Sequence, residues 1–203
     1  CEMIQRDFPS IHLVRNRCNN GFAHANNQAI ACAQGEFVLL LNSDAVLAPD
    51  VLDRFEADFR RDPRIGAISG QLQDVAGNRQ RSCGQAPTAL NELGLGFLRR
   101  KLPHTEHEGL IDSESLIGAC LVVRASAIQE AGSIDDDFFF YGEDTEWTYR
   151  LFRHGWRVVV DTAARVIHAK GGATRGRRRG AQIEMLRARL QYYRKTMHPV
   201  TAA

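Results

Sequence analysis

Residues 37–50 read FVLLLNSDAVLAPD. Five apolar residues, Phe37 to Leu41, give way abruptly to Asn42-Ser43-Asp44, and a Pro49-Asp50 pair follows. An apolar run without polar alternation reads as a strand covered on both faces, the pattern of a sheet flanked by helices. The neighbouring segments agree. Upstream, "IHLV" (11–14) reads as a short buried strand. "NRCNNGFAHANNQAIACAQG" then opens as a turn and becomes a small-residue helix from about Phe22, stopped by Gly35. Downstream, a helix starts at Pro49, carries Val51, Leu52, Phe55 and Phe59 on one face, and ends at Pro63. "IGAISGQL" is a further strand. Strand, helix, strand, helix, strand predicts an α/β sheet with right-handed crossovers. A chain of 203 residues suits one such domain.

The middle of the chain, residues 73–113, is rich in turn formers and weakly periodic. It reads as a strand near 79–83, a helical piece near 88–100, and a loop. "SLIGACLVVR" (115–124) returns to strand, and "ASAIQEAG" is a short helix closed by Gly132. "EDTEWTYRLFRHG" (143–155) is a helix, "RVVVD" a strand, and "ARVIHAKGG" a strand running into a glycine turn. The C-terminal "AQIEMLRARLQYYRKTMH" places Ile183, Leu186, Leu190 and Tyr193 on one side, which predicts an amphipathic helix.

Composition narrows the classes. Hydrophobic content of 44% and charged content of 25% are ordinary for a soluble globular protein. No apolar run is long enough to span a bilayer, and the N-terminal "CEMIQRDFPS" has no signal-like core and no initiator Met, as expected of a fragment or processed product. The five cysteines are scattered, odd in number and without a CxxC pair, which argues against a disulfide framework or zinc site and fits a reducing cytoplasm. A net charge of +2 gives no reason to expect a nucleic-acid partner. The positive charge is concentrated at Arg175, Arg177, Arg178 and Arg179.

Ligands of open α/β sheets bind beyond the carboxyl ends of the strands. Asp44 falls at such an end, where a carboxylate can hold a divalent ion that neutralises a diphosphate. The same triplet also reads as a turn or helix cap. "GSIDDDFFFYGEDTEW" sets Asp135, Asp136, Asp137, Glu143, Asp144 and Glu146 around the four-aromatic run Phe138–Tyr141. It reads as a walled pocket with acids at its rim, or as core aromatics with capping acids at a helix start. Glu146 and Arg150, spaced i, i+4, read as a surface pair. His168 at a strand end is a structural histidine or, with a carboxylate, part of a site for an ion such as Mn²⁺.

Three segments together resemble one family. "NNGFAHANNQAI…GEFVLLLNSDAVLAPD", "LIGACLVVRASAIQEAGSIDDDFFFYGEDTEWTYRLFRHGWRV" and "VIHAKGGAT" are similar, in this order, to a family 2 inverting glycosyltransferase of the rhamnosyltransferase-like and galactofuranosyltransferase-like subgroup. The resemblance implies the GT-A nucleotide-diphospho-sugar transferase fold, with a mostly parallel central sheet flanked by helices. It divides the single domain into a nucleotide-binding half (1–72, incomplete), an acceptor and catalytic half (73–170), and a basic loop with C-terminal helix (171–203). The family's opening strand-helix-strand precedes the first residue here, so the fold is expected to be N-terminally truncated.

The resemblance also implies roles. Asn42-Ser43-Asp44 stands where the family has Asp-x-Asp, with Asp44 and His168 toward a Mn²⁺ or Mg²⁺ ion. Asp144 is the expected catalytic base. Asn20, Gly21 and Asn26 are expected beside the nucleotide-sugar donor together with Asn42. Glu143, Tyr141 and Trp147 are candidates for the acceptor side. Asn42 removes one negative charge from the motif and shifts weight onto Asp44, His168 and the diphosphate oxygens. The implied partners are a nucleotide-sugar donor and a glycan or lipid-pyrophosphate acceptor. The implied setting is cytoplasmic, with peripheral contact at the inner face of the plasma membrane through the Arg175–Arg179 loop, which reads equally as a solvated loop. The implied activity is metal-dependent inverting sugar transfer in bacterial surface polysaccharide synthesis. The alternative is a truncated or degenerate domain acting as a non-catalytic binding module.

Overall fold

The computed structural model describes residues 1–88, 106–107, 109–169 and 178–196. Its helices are α1 (Glu2–Asp7), α2 (Phe22–Cys32), α3 (Val51–Arg61), α4 (Ala125–Ala131), α5 (Glu143–Arg153) and α6 (Arg178–Thr196). Its strands are β1 (Phe37–Leu41), β2 (Ala45–Leu47), β3 (Ile65–Gln73), β4 (Cys83–Gly84), β5 (Glu106–His107), β6 (Leu110–Asp112), β7 (Ser115–Leu116), β8 (Cys120–Arg124) and β9 (Arg157–His168).

The main sheet runs β1-β8-β3-β9-β6-β5, with β2 also paired to β9. Side chains alternate between its two faces, as strand geometry requires. Leu121, Val123, Val158 and Val160 join a core with Trp147 and Leu151 of α5 and Ala127 of α4. Cys120, Val122, Val159 and Val166 face the other way, onto Val51, Phe55 and Phe59 of α3. The result is helices on both sides of one sheet, as the unalternating apolar runs predict.

Strand direction differs from the expectation of a mostly parallel sheet. Among the described pairs only β3 and β9 are parallel. β1 and β3 do point the same way, as a crossover through α3 requires, but β8 lies between them, antiparallel to both. The cause is local. "SLIGACLVVR" is not one strand, because a turn at Gly118-Ala119 separates β7 from β8 and redirects the chain into that slot.

Other expectations also yield to tertiary context. "IHLV" forms no strand; Ile11 and Val14 are exposed, and nothing in the described residues pairs with them. β1 is covered unevenly, with Leu40 buried but Leu39 and Leu41 exposed, because β8 is its one described neighbour. Leu52 turns out to solvent, while Val51, Phe55 and Phe59 bury as read. The strand near 79–83 reduces to a bridge between Gln73 and Arg79 and the two-residue β4. The helical piece near 88–100 lies outside the described residues but for Thr88, and so do Arg175 and Arg177.

In α6 the packed face carries Ala188 and Tyr192, whereas Ile183, Leu186 and Leu190 are exposed, the reverse of the expected orientation. Glu146 and Arg150 do pair, with Arg150 Nε 2.8 Å from Glu146 Oε1, but not as a surface pair. Glu146 is buried, and Arg150 also donates to the carbonyls of Ala131 and Ser133, tying α5 to the end of α4.

Candidate active site

The short strand β2 decides where Asp44 goes. It pairs antiparallel with the end of β9, Ala45 opposite His168 and Leu47 opposite Val166. The Ala169 N–H donates to the Asp44 carbonyl at 2.9 Å, closing the pairing one residue further on. Asp44 and His168, 124 positions apart in the chain (168 − 44), therefore meet at one end of the sheet. His168 Nε2 stands 3.4 Å from Asp44 Oδ1, and both side chains are mostly but not wholly buried.

Sequence reading missed a third member, Gln80. Its Nε2 donates to the His168 carbonyl at 2.9 Å. A carbonyl only accepts, so the amide orientation is fixed and Oε1 is the atom that faces His168 Nδ1, at 3.4 Å. An acceptor at Nδ1 selects the tautomer with hydrogen there, which leaves the Nε2 lone pair on the Asp44 side. Gln80 is itself anchored by its N–H to the Leu72 carbonyl of β3 at 2.8 Å.

A carboxylate and an imidazole nitrogen so placed fit a small divalent cation. Two adjacent ligands of an octahedral ion with bonds of about 2.1 Å stand about 3.0 Å apart, and the observed separation is 3.4 Å. Among the described residues no group of three or more His, Cys, Asp or Glu side chains converges. An ion such as Mn²⁺ or Mg²⁺ takes few protein ligands and completes its shell with water and substrate phosphate oxygens.

Asp144 lies in the first turn of α5. Its Oδ2 accepts the Gly118 N–H at 2.8 Å, and its Oδ1 accepts the Thr145 N–H at 2.7 Å and faces the Thr145 hydroxyl at 3.3 Å. Gly118 sits close against this carboxylate: a Cβ there would stand 3.1 Å from the Asp144 Cβ, so a larger residue would push Asp144 aside by a few tenths of an ångström. The next residue, Ala119, accepts the Asn42 N–H at 3.0 Å through its carbonyl. One turn thus links the carboxylate of Asp144 to Asn42, just past the end of β1, from which Asp44 follows two residues on. Burial raises the Asp144 pKa, and the hydrogen bonds oppose that rise.

Glu143, beside it, is buried and its Oε2 has no hydrogen-bond partner among the described residues. Desolvation, then the charge of Asp144, pushes its pKa up to about 8. Two neighbouring carboxyls with unequal support share their charge unequally. Asp144 has more donors that favour its anion, three backbone N–H groups and a hydroxyl against one backbone N–H for Glu143, so the charge of the pair is drawn toward Asp144.

The segment expected beside the donor packs against the stretch that leads to α5. The Phe22 N–H at the start of α2 donates to the Phe139 carbonyl at 3.1 Å. Gly21 has φ 94°, and a Cβ on it would stand 2.5 Å from that carbonyl oxygen. Asn27, which the sequence reading did not single out, exchanges hydrogen bonds with Ile134, its Nδ2 donating to the carbonyl at 2.7 Å and its Oδ1 accepting the N–H at 3.1 Å. Of the candidates, Asn20 is exposed and accepts from Cys18 Sγ, and Asn26 is part-buried and donates to the Phe22 carbonyl within its own helix.

Tyr141 is half-buried, with a left-handed backbone at φ 73° and its ring against Phe140. Trp147 does not face an acceptor: it is fully buried, and its Nε1 donates to the Gly132 carbonyl at 2.8 Å. The polar handle that suggested a pocket residue is spent on closing α4. Phe138 is buried against α6, while Phe139 is half exposed.

The comparisons with known proteins identify the family and the fold. The family model described as "Glycosyltransferase like family 2" matches residues 1–191. The N-acetylglucosaminyl-diphospho-decaprenol L-rhamnosyltransferase of Mycobacterium tuberculosis (strain CDC 1551 / Oshkosh) is 31% identical over 192 residues, covering 84% of this chain and 62% of the relative. The O-antigen biosynthesis protein RfbC of Myxococcus xanthus is 31% identical over 157 residues, 74% of this chain and 12% of that protein. The chain thus spans less than two thirds of the length of these curated relatives.

Among solved structures, the mannosyltransferase PcManGT from Pyrobaculum calidifontis, in complex with GDP-Man and Mn²⁺, superposes over 100% of this chain and 51% of its own, with a TM-score of 0.64 and 20% identity. GalNAc-T7 with UDP, GalNAc and Mn²⁺ superposes over 82% of this chain and 33% of its own, with a TM-score of 0.60 and 18% identity. These likenesses establish the GT-A glycosyltransferase fold. With a family match that runs through β1, Asp44, Asp144 and His168 to within α6, the chain belongs to glycosyltransferase family 2.

Proposed function

We propose that this chain catalyses metal-dependent, inverting transfer of a sugar from a nucleotide-sugar donor to a glycan or lipid-linked acceptor of bacterial surface polysaccharide synthesis. The observation that carries the reading is the juxtaposition at one sheet end. The Asp44–His168 pair and the Asp144 carboxylate come from opposite ends of one short connection, Asn42 to Ala119 to Gly118. Residues 1–72 form the donor side and 73–170 the acceptor and catalytic side of this reading. The mycobacterial relative, whose name specifies a diphospho-decaprenol acceptor, supports a lipid-linked acceptor.

The chemistry follows from the groups present. The acceptor hydroxyl attacks the anomeric carbon, the bond from that carbon to the diphosphate oxygen breaks, and the hydroxyl proton passes to Asp144. A single in-line displacement inverts the anomeric centre. Partial burial makes Asp144 a stronger base than a solvated carboxylate, while the Gly118 and Thr145 N–H groups fix its direction. General-base assistance of this kind contributes about 10²–10⁴-fold. A divalent ion held by Asp44 and His168 would supply charge neutralisation for the departing diphosphate. Glu143, carrying a proton beside the base, leaves Asp144 as the charged member of the pair.

Two variants test this. Asp144→Asn is expected to bind donor normally and to lose at least about a hundredfold in transfer, measured by product formation against calorimetric donor affinity. Near-normal turnover would remove Asp144 from the base role. Asp44→Ala and His168→Ala are each expected to weaken Mn²⁺-dependent binding of a nucleoside diphosphate, and unchanged affinity in both would overturn the metal assignment. Donor binding without transfer in the unaltered chain would instead favour a non-catalytic binding module.

A further inference from the structure

Helix α6 lies against the body of the molecule by one face. Ala188 and Tyr192 are buried with Phe138, and Lys195 Nζ reaches Asp135 and Asp137. This contact fixes the rotation of the helix, and so fixes what points away. On the opposite side Ile183, Leu186 and Leu190, spaced i, i+3 and i+7, are 51%, 62% and 58% exposed. Their spacing makes one continuous ridge.

Arginines border the ridge on both sides. Advancing 100° per residue, Arg187 and Arg194 fall on one flank and Arg189 on the other, and all three are exposed. Arg187 spans to Glu184 within the helix, and Arg189 donates to the Tyr193 hydroxyl. Over Arg178–Thr196 there are six basic residues and one acidic residue, a formal charge of +5 (6 − 1). An outward apolar ridge flanked by arginines on a docked helix matches the polarity of a lipid–water interface: apolar side chains enter the acyl boundary and guanidinium groups meet lipid phosphates.

We infer that the outer face of α6 is a docking surface for an anionic phospholipid bilayer. The inference rests on the transferase reading for its purpose, and on the α6 geometry for its existence. Its position gives it meaning. The segment that α6 grips, Asp135 to Gly142, leads directly into Glu143 and Asp144. A chain held on the bilayer by this ridge keeps the catalytic end of α5 close to the membrane plane, where the head group of a lipid-linked acceptor projects.

The test is flotation of the purified chain with vesicles of phosphatidylcholine, with and without phosphatidylglycerol, across a salt series. The unaltered chain is expected to bind the anionic vesicles, to release as salt rises, and to ignore the neutral ones. The double variant Leu186→Glu/Leu190→Glu is expected to lose about tenfold or more of that affinity, and Arg187→Gln/Arg194→Gln to lose part of it. Both should bind UDP, GDP or dTDP with Mn²⁺ as the unaltered chain does, because neither touches Asp44, His168 or Asp144.

Equal vesicle binding by the Leu variant, or none by the unaltered chain, overturns the inference. So does a concentration-dependent dimer that the Leu variant abolishes, since the ridge would then be a self-association face. Vesicle binding kept, in a chain without Mn²⁺-dependent nucleotide binding, would sink the transferase reading and leave the surface standing.

Discussion

The histidine at the end of β9 shows how much a single neighbour decides. An imidazole offers either nitrogen, and the wrong tautomer would aim an N–H at the space beside Asp44. Gln80 removes the choice by spending its N–H₂ on the His168 backbone and turning its oxygen to Nδ1. Outer partners of this kind are worth about 10–100-fold in metal affinity. Gln80→Ala is therefore expected to lower Mn²⁺ affinity by about tenfold and to let nitrogen NMR of His168 show mixed tautomers in the metal-free chain. Gln80→Glu keeps an acceptor at Nδ1 and should restore the tautomer. Gln80→Ala with unchanged affinity and an unchanged tautomer would confine Gln80 to a structural role.

From the residues alone Asp44, Asp144 and His168 also read as turn, cap or structural groups; the resemblance grouped them, and the structure brings Asp44 and His168 together. Gln80 was not legible at all, since its importance lies in a contact across 88 positions. Asn27 reaches 107 positions to Ile134, and Gly118 matters through Asp144, 26 positions on, so neither leaves a local trace either.

At the scale of elements, the site depends on two segments closing on each other: the start of α2, and the stretch from Ile134 to Tyr141 that precedes α5. The junction is tightest at Gly21. Replacing it with Ala would force a side chain into a left-handed backbone at φ 94° and set a Cβ 2.5 Å from the Phe139 carbonyl oxygen. The backbone conformation alone costs about 1–3 kcal/mol, and the collision adds to it. Gly21→Ala is thus expected to lower the urea midpoint clearly and to weaken nucleoside-diphosphate binding as α2 shifts from Phe139. A midpoint within error of the unaltered chain would show that the two segments are not coupled.

Pattern-reading worked for elements whose burial is dictated from both sides. α3, α4, α5 and β3 stand close to where periodicity and punctuation put them, and β9 joins into one strand the two read at "RVVVD" and "ARVIH". It failed where burial depends on a partner that the local sequence does not name. "IHLV" has strand composition but no described strand to pair with. α6 carries apolar residues on two faces, and the less obvious one, with Ala188 and Tyr192, is the face that packs. Trp147 looked like a pocket residue only because its hydrogen-bond partner, the Gly132 carbonyl, is invisible in sequence.

For the molecule as a whole, the site places a cost on folding that varies with pH. The sign differs between its carboxyls and those of the scaffold. Asp62, bonded first to Arg64 and then to Arg157, has its pKa held well below the ordinary 3.8. Its contribution is present above that value and is lost as pH falls. Glu143 goes the other way. Burial raises it from an ordinary 4.5 to about 8, so the contribution of its protonated form is complete below about pH 4.5 and drains away as pH rises to about 8.

The fold is therefore expected to be most stable in weak acid and to weaken toward mild alkali, a direction set by the residue next to the proposed base. Glu143→Gln keeps the shape and removes the titration. Urea denaturation at pH 5 and pH 8 should show the unaltered chain losing stability between the two and the variant losing clearly less. The shift is large enough for a difference on the order of a few kcal/mol at full burial. An equal decline in both proteins would mean that Glu143 does not hold its proton in the folded state. The charge on Asp144 would then need another explanation, because two adjacent buried carboxylates would both be ionised at neutral pH.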